Sequence, residues 1–186
     1  YTLIIFITSV ILGLCMGSGA LFSIYYGASD YGALRRGVFV SLILIGGVSL
    51  SLNIASFIFI DPIMSLLCVP DDVYPLMRDY LWVIFWGIGF TFIYNYYASL
   101  LRAVGNSVVP LWFLALSVVL NIALDILFIV SFGWGVAGAA AATVAAQGAA
   151  AAGLCLYTAR RFPHLLPRRK EMRLTRRTVS EIASYS

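Results

Sequence analysis

Between Arg102 and Arg160 the chain carries one ionisable carboxyl or basic group, Asp125, inside an apolar stretch long enough for two membrane crossings. An acid in that setting requires a reason, because a charge away from water is costly. The stretch also contains Phe132-Gly133-Trp134-Gly135-Val136-Ala137-Gly138, whose glycines are turn formers. It therefore reads as a helical hairpin with Trp134 at its tip. Counted outward from Trp134, Asp125 and Thr143 each lie nine residues away, and Asn121 and Gln147 each lie thirteen. Both pairs are expected to sit level. Asn121 with Asp125, and Thr143 with Gln147, are i,i+4 pairs, so each helix presents its two polar groups on one face. Meeting faces would gather four polar side chains into one intramembrane cluster.

The rest of the chain belongs to the same solvent regime. With 62% hydrophobic and 11% charged residues, it exceeds what a soluble domain can bury. The runs are long and uncharged rather than alternating in segments of ten, which predicts an all-α integral membrane protein and not an outer-membrane barrel. Cys15, Cys68 and Cys155 lie far apart and match no metal spacing. Cys15 and Cys155 fall within predicted spans and read as small apolar residues. His164 sits in a basic, proline-flanked loop. The N-terminal run lacks a basic leader and continues too long for a cleavable signal peptide.

Five spans are predicted, at about residues 2–26, 37–60, 78–101, 110–131 and 136–159. A polar turn at 28–32 and the pair Arg35-Arg36 separate the first two. The connector 61–79 holds Asp61, Asp71, Asp72, Asp79 and Arg78, and Pro75 marks a helix start. Residues 102–107 form a short polar turn, and Pro110 opens the fourth span. The hydrophilic 161–186 reads as a basic linker, with a capping box at Thr178-Val179-Ser180-Glu181 announcing another helix. Both ends of the chain read as cut.

Short loops between five spans must alternate sides, so the charges test the scheme. Arg35, Arg36, Arg102 and the basic residues from Arg160 onward fall on one side and make up eleven of the twelve lysines and arginines. Only Arg78 falls on the other. The positive-inside rule assigns the loops at Arg35 and Arg102 and the C-terminal tail to the cytoplasm, and the hairpin tip to the outside of a cytoplasmic membrane. A net charge of +4 is thereby a matter of topology and not of nucleic-acid binding. The tail serves as a topogenic linker, or alternatively as an anchor to anionic lipid.

With these residues placed, the chain resembles the multidrug and toxic compound extrusion (MATE) transporters. The likeness is carried by Leu101-Arg102-Ala103-Val104-Gly105-Asn106-Ser107-Val108-Val109-Pro110, by Asn121-Ile122-Ala123-Leu124-Asp125, and by Gly135-Val136-Ala137-Gly138-Ala139-Ala140-Ala141-Ala142-Thr143. Ser23-Ile24-Tyr25-Tyr26-Gly27-Ala28 with Arg35-Arg36, and Tyr80-Leu81, extend it over nearly the whole chain. The resemblance implies helices two to six of a six-helix transporter lobe, with the first helix and a second lobe missing. It also implies an antiporter that exports small organic compounds in exchange for sodium or protons, with no cofactor beyond that coupling ion. In members with a cation site in this lobe, an asparagine and an aspartate of the fifth helix and a threonine of the sixth build it. Those types match Asn121, Asp125 and Thr143. Gln147 joins them through the level count, and Tyr80 is a further candidate from the resemblance.

A carboxylate beside an amide oxygen and a hydroxyl is an all-oxygen set of the kind sodium accepts, so Asp125, Asn121 and Thr143 are also the expected metal ligands under sodium coupling. An aspartate withdrawn from water also holds a proton more readily than one in water, so one site can serve either ion. At about 1.5 Å per residue, the six residues from Asp125 to Ser131 put the acid roughly 9 Å from the outer end. The plainer alternative is an acid that only locks two helices. Asn53 and Asn95 are expected either to line a substrate cavity or to bond between helices. Trp86, Phe90 and Tyr94, with the other aromatics of the third span, offer flat surfaces to substrate, lipid or core. The alanine-rich last span, with Gly138, Gly148 and Gly153, reads as a close-packing surface. Two other functions fit the architecture: a flippase for a lipid-linked precursor, which would need several basic side chains in its cavity, and a non-transporting helical scaffold.

Overall fold

A computed structural model describes residues 2–66, 70 and 72–166. Cys68, Asp71 and the tail from 167 to 186, including the capping box at Thr178, lie outside the described residues. Six α-helices follow in order: α1 (Thr2–Gly27), α2 (Tyr31–Ile58), α3 (Ile60–Leu66), α4 (Tyr74–Ala103), α5 (Val108–Asp125) and α6 (Gly135–Arg161). Between α5 and α6 the helix continues as a π-helical segment, Ile126–Ser131. Among the described residues, five helical segments are long and apolar enough to cross a membrane, α5 and its π-helical extension counting as one.

The helix ends follow from local chemistry, and they move several predicted boundaries. Asp30 caps α2, its Oδ1 accepting from the Ala33 backbone N–H at 2.8 Å. The helix therefore starts at Tyr31 instead of 37, and Arg35 and Arg36 lie on its first turns, not in a loop. Ser29 takes the left-handed backbone conformation (φ 57°) that this tight turn requires. Pro75 occupies the first turn of α4 as expected, but α4 begins at Tyr74 and runs to Ala103, longer than the predicted 78–101. The connector before it contains α3, which sequence patterning left as a loop because seven residues hold too few turns to show a period. The Asp61 carboxylate on α3 accepts from Tyr74 Oη and Arg78 Nε, both at 3.0 Å, and so pins α3 to the start of α4. These donors, Arg78 first, hold the Asp61 carboxyl below its ordinary range. At the hairpin tip Gly133 (φ 68°) and Gly135 (φ 56°) supply the positive φ that lets the chain reverse around Trp134.

In hydrocarbon, helices associate through close packing and buried hydrogen bonds, since there is no water to expel. The main core lies between α1, α2 and α4, where Ile11, Phe22, Leu34, Val38, Phe85 and Tyr96 are buried. Tyr96 Oη donates to the Val38 carbonyl at 2.6 Å and lies 2.9 Å from Ser41 Oγ, clasping α4 to α2. Ser99 Oγ donates to the Cys15 carbonyl at 2.6 Å, clasping α4 to α1. A Cβ on Gly19 would stand 2.2 Å from Ser99 Oγ, so that second clasp depends on a glycine. On its other side α4 receives α6 in the most extensive helix contact of the molecule. The buried face of α6 is built from Gly138, Ala140, Ala142, Ala146, Ala150, Ala151, Leu154 and Thr158, the close-packing surface expected of that composition. Helix α5 leans chiefly on α6, and within it only Pro110 is buried.

The described charges separate by end. Arg35 Nε donates to the His164 carbonyl at 2.7 Å, tying the start of α2 to the loop after α6. Arg102 sits in the last turn of α4, and Arg160 and Arg161 in the last turn of α6. Asp61, Asp72, Arg78 and Asp79 occupy the opposite end, around α3 and the start of α4. Cys15 is buried and Cys155 half-buried, both as free thiols.

Candidate functional site

Two polar places lie along α6, one turn apart. The first faces α5. There Asn121 Nδ2 donates to Thr143 Oγ1 at 3.4 Å, and Thr143 Oγ1 donates back to the Ala139 carbonyl of its own helix at 3.0 Å. The hydroxyl proton is thus turned toward α6, which leaves the oxygen as an acceptor on the α5 side. Asp125, one turn along α5 from Asn121, is half-buried, and its Oδ1 is shielded from solvent without any hydrogen-bond partner. Buried polar atoms are almost always paired, so an orphaned carboxylate oxygen calls for a missing partner. Asn121 lies one helical turn from this acid, and Thr143 reaches the same stretch of α5 through its bond with Asn121. Among the described residues no cluster of three or more His, Cys, Asp or Glu side chains offers a transition-metal site.

The backbone changes character immediately after Asp125. Phe132 N–H bonds to the Leu127 carbonyl five residues back, at 3.1 Å, and Trp134 N–H to Phe128 at 3.0 Å. Phe128, Phe132 and Trp134 fill the widened turn, with ring centroids 5.2 to 6.0 Å apart. A π-helical segment advances less per residue than an α-helix, so the assumption of uniform rise fails there. Asp125 lies nearer the tip than a uniform rise gives, and across the hairpin Thr143 bonds to Asn121, where the level count pairs it with Asp125.

Gln147 goes elsewhere. Its Oε1 accepts from Thr91 Oγ1 on α4 at 3.0 Å. Gln147 therefore shares a face with Thr143 yet bonds to the other neighbouring helix, because α6 is sandwiched between α4 and α5. This contact needs α4 and α6 close together: a Cβ on Gly87 would meet Val144 Cγ2 at 2.9 Å and Gln147 Oε1 at 3.2 Å. Tyr80, near the start of α4, is half-buried against the main core and makes no side-chain hydrogen bond to the Asp125 group.

The second place is a cavity of about 620 Å³ between α1, α4, α5 and α6. Thr91, Asn95, Arg102, Ser107, Ser117 and Gln147 contribute to its polar lining, and Leu111 and Leu114 to its apolar lining. Its size suits a drug-sized molecule. Asn95 belongs to it, with its Nδ2 donating to the Thr91 carbonyl at 2.8 Å. Tyr94 also lines it and donates to the Pro110 carbonyl at 2.8 Å, fixing the start of α5. Asn53 does not line it. That amide donates across to the Phe85 carbonyl of α4 and acts as a clamp between α2 and α4. Of the other aromatics, Phe85, Phe92 and Tyr96 are core, while Trp86 and Phe90 are exposed on the outer surface of the α4–α6 pair. Sequence reasoning missed Thr91, although its i,i+4 spacing to Asn95 places both on one face of α4. It also read Arg102 only as a topological charge.

Comparison with known proteins places this geometry in a context. A family model, MatE, matches residues 1–127. The probable multidrug resistance protein YpnP of Bacillus subtilis is 37% identical over 149 residues, covering 80% of this chain and 34% of that protein. The multidrug export protein MepA of Staphylococcus aureus is 32% identical over 145 residues, covering 76% of this chain and 32% of that protein. The chain thus spans about a third of the length of these relatives. An inward-facing structure of a multidrug resistance MATE family transporter superposes with a TM-score of 0.88 at 22% identity, over 96% of this chain and 41% of that one. The outward-facing conformation of such a transporter superposes with a TM-score of 0.86 at 23% identity, over 96% and 40%. At this identity the superpositions speak to fold.

Proposed function

The chain belongs to the MatE family, one of transporters and not enzymes, and from that premise we propose that its five spanning helices act within one lobe of a cation-coupled antiporter exporting organic compounds. The observation that carries the coupling is the orphaned Asp125 Oδ1 beside Asn121 and Thr143. In this reading Asp125 takes a sodium ion or a proton, Asn121 and Thr143 supply the remaining oxygens, and substrate occupies the cavity lined by Thr91, Asn95 and Gln147. Gln147 lies one turn from Thr143 on α6 and belongs to the cavity, so α6 is the helix common to both places. Ion binding favours one packing of the α5–α6 hairpin and substrate the other, and each ion step then releases substrate outside. Tyr80 is a peripheral member of the ion network, acting through the packing of α4. The basic end, with Arg35, Arg102 and Arg161, faces the cytoplasm by the positive-inside rule, and the tip at Trp134 faces out. The first helix and the second lobe of the transporter, supplied by further sequence, complete the substrate path. The multidrug names of the relatives and the share of their length that this chain matches support that assignment.

A lipid-precursor flippase is less well supported, because among the described residues Arg102 alone of the basic side chains lines the cavity. The test is efflux of norfloxacin, an amphipathic drug that carries one carboxylate, from proteoliposomes holding the full-length transporter, driven in turn by sodium and pH gradients. Asp125→Asn is expected to remove the dependence on the driving ion and Thr143→Ala to weaken it. Wild-type ion dependence in both variants sinks the coupling site, and a scaffold role predicts that result.

A further inference from the structure

Arg102 has a consequence for what the cavity binds. Side chains on a helix lean toward its N-terminus, so an arginine in the last turn of α4 leans back over the bundle instead of outward. It does so here. Arg102 Nε donates to the Ala98 carbonyl one turn earlier, at 3.2 Å, and Ala98 itself lines the cavity. That bond engages one of the five guanidinium N–H groups and leaves four for a ligand. Among the described residues no other hydrogen bond and no ion pair engages this guanidinium, and no acidic side chain lines the cavity. Ser107, beside it at the start of α5, makes no side-chain hydrogen bond and also lines the cavity. The backbone amides of that helix start add positive potential at the same end. Opposite lies an apolar wall that includes Leu111 and Leu114.

We propose that Arg102 makes this cavity selective for amphipathic compounds bearing a single carboxylate or phosphate, which pairs with the guanidinium while the apolar body lies against Leu111 and Leu114. Neutral amides at Asn95 and Gln147 fix the orientation of the body without demanding a positive charge from it. Arginine suits the role because its planar fork meets two oxygens of an oxyacid at once. The inference rests on the reading of this cavity as the substrate site and adds the class of ligand. The same chemistry is present on an exported carboxylic acid and on the phosphate of a lipid headgroup.

The test uses the chain in phosphatidylcholine nanodiscs titrated with 11-(dansylamino)undecanoate and with its neutral methyl ester, empty nanodiscs serving as blank. The acid is expected to bind roughly tenfold tighter than the ester, Arg102→Gln to erase that preference, and Arg102→Lys to keep part of it. Equal affinity of acid and ester in the unmodified chain, or a preference that survives in Arg102→Gln, overturns the proposal. Adding phosphatidylglycerol separates the two sources: displacement of the probe that requires Arg102 identifies the headgroup phosphate, and lack of displacement with the preference intact identifies a free carboxylate. An unmodified protein that shows the acid preference while the full-length transporter shows no ion-driven efflux counts against the coupling site alone, and ion-driven efflux without the acid preference counts against Arg102 alone.

Discussion

The two halves of this bundle treat polar groups in opposite ways. Where α1, α2 and α4 meet, buried hydroxyls and amides each find a partner: Tyr96 with Val38 and Ser41, Ser99 with Cys15, Asn53 with Phe85. Around α5 the helix buries only Pro110, its polar contact to α6 is a single long bond from Asn121, and Asp125 keeps a buried oxygen with no partner. Satisfied networks rigidify, whereas sparse contact and an unpaired acid leave a segment responsive to what binds. Under the proposed function, the first half is a platform and the hairpin is the part that would read the ion. The π-helical segment falls just after Asp125, at the boundary between the acid and the tip, where such departures from α geometry often accompany function.

Substitutions break this contrast in order of expected size. Asp125→Asn removes the orphaned carboxylate, and ion-dependent efflux in the full-length transporter is expected to fall by roughly ten- to hundredfold, the scale of a lost charge-assisted contact, while thermal stability in detergent holds or rises. Gly19→Ala acts on the platform: with Ser99 Oγ 2.2 Å from the new Cβ, the α1–α4 clasp must open. The cost is about 1 to 3 kcal/mol, read as a lower unfolding temperature, and ion selectivity is expected to stay unchanged. Tyr96→Phe removes the α4–α2 bond to the Val38 carbonyl, which keeps only its contacts within α2, and should cost about 1 to 2 kcal/mol by the same assay. A platform substitution that alters ion dependence, or a hairpin substitution that mainly lowers stability, would erase the distinction.

How far the sequence foretells this depends on the kind of feature. Uncharged runs predict the spans, since a span is a matter of length and hydropathy. Charge distribution predicts which ends share a side, and Arg35, Arg102 and Arg161 do lie at one end. The glycines around Trp134 predict the hairpin tip because Gly133 and Gly135 need positive φ. The short helix α3 is lost because its turns are too few, and the start of α2 is misplaced because Asp30 as a cap outweighs the arginines that follow. At the site, Asn121 and Thr143 come together, where the spacing pairs Thr143 with Asp125 and Asn121 with Gln147. The π-helical segment leaves no periodic trace in an all-apolar run, so the depth of Asp125 is misjudged. Gln147 is sent to Thr91 by the tertiary position of α6 between two helices, which spacing along one helix does not encode.

The smallest expected effect is at the other end of the molecule. Asp61 is exposed, and its carboxyl is held low by Arg78 and Tyr74. A carboxyl lowered by folding contributes stability above its unfolded value, near pH 4, and loses it as pH falls through the folded value. A slight drop in unfolding temperature below about pH 4, absent in Asp61→Asn, is the expected sign.

The central claim, that Asp125 takes up an exchangeable ion, is tested most directly by carbodiimide labelling of the purified chain followed by peptide mass analysis. The reagent modifies buried carboxyls in their protonated form. Labelling is expected at Asp125, falling as pH rises and falling further with sodium if sodium is the coupling ion, with weaker sodium protection in Thr143→Ala. Labelling of Asp125 that responds to neither pH nor sodium would contradict the account.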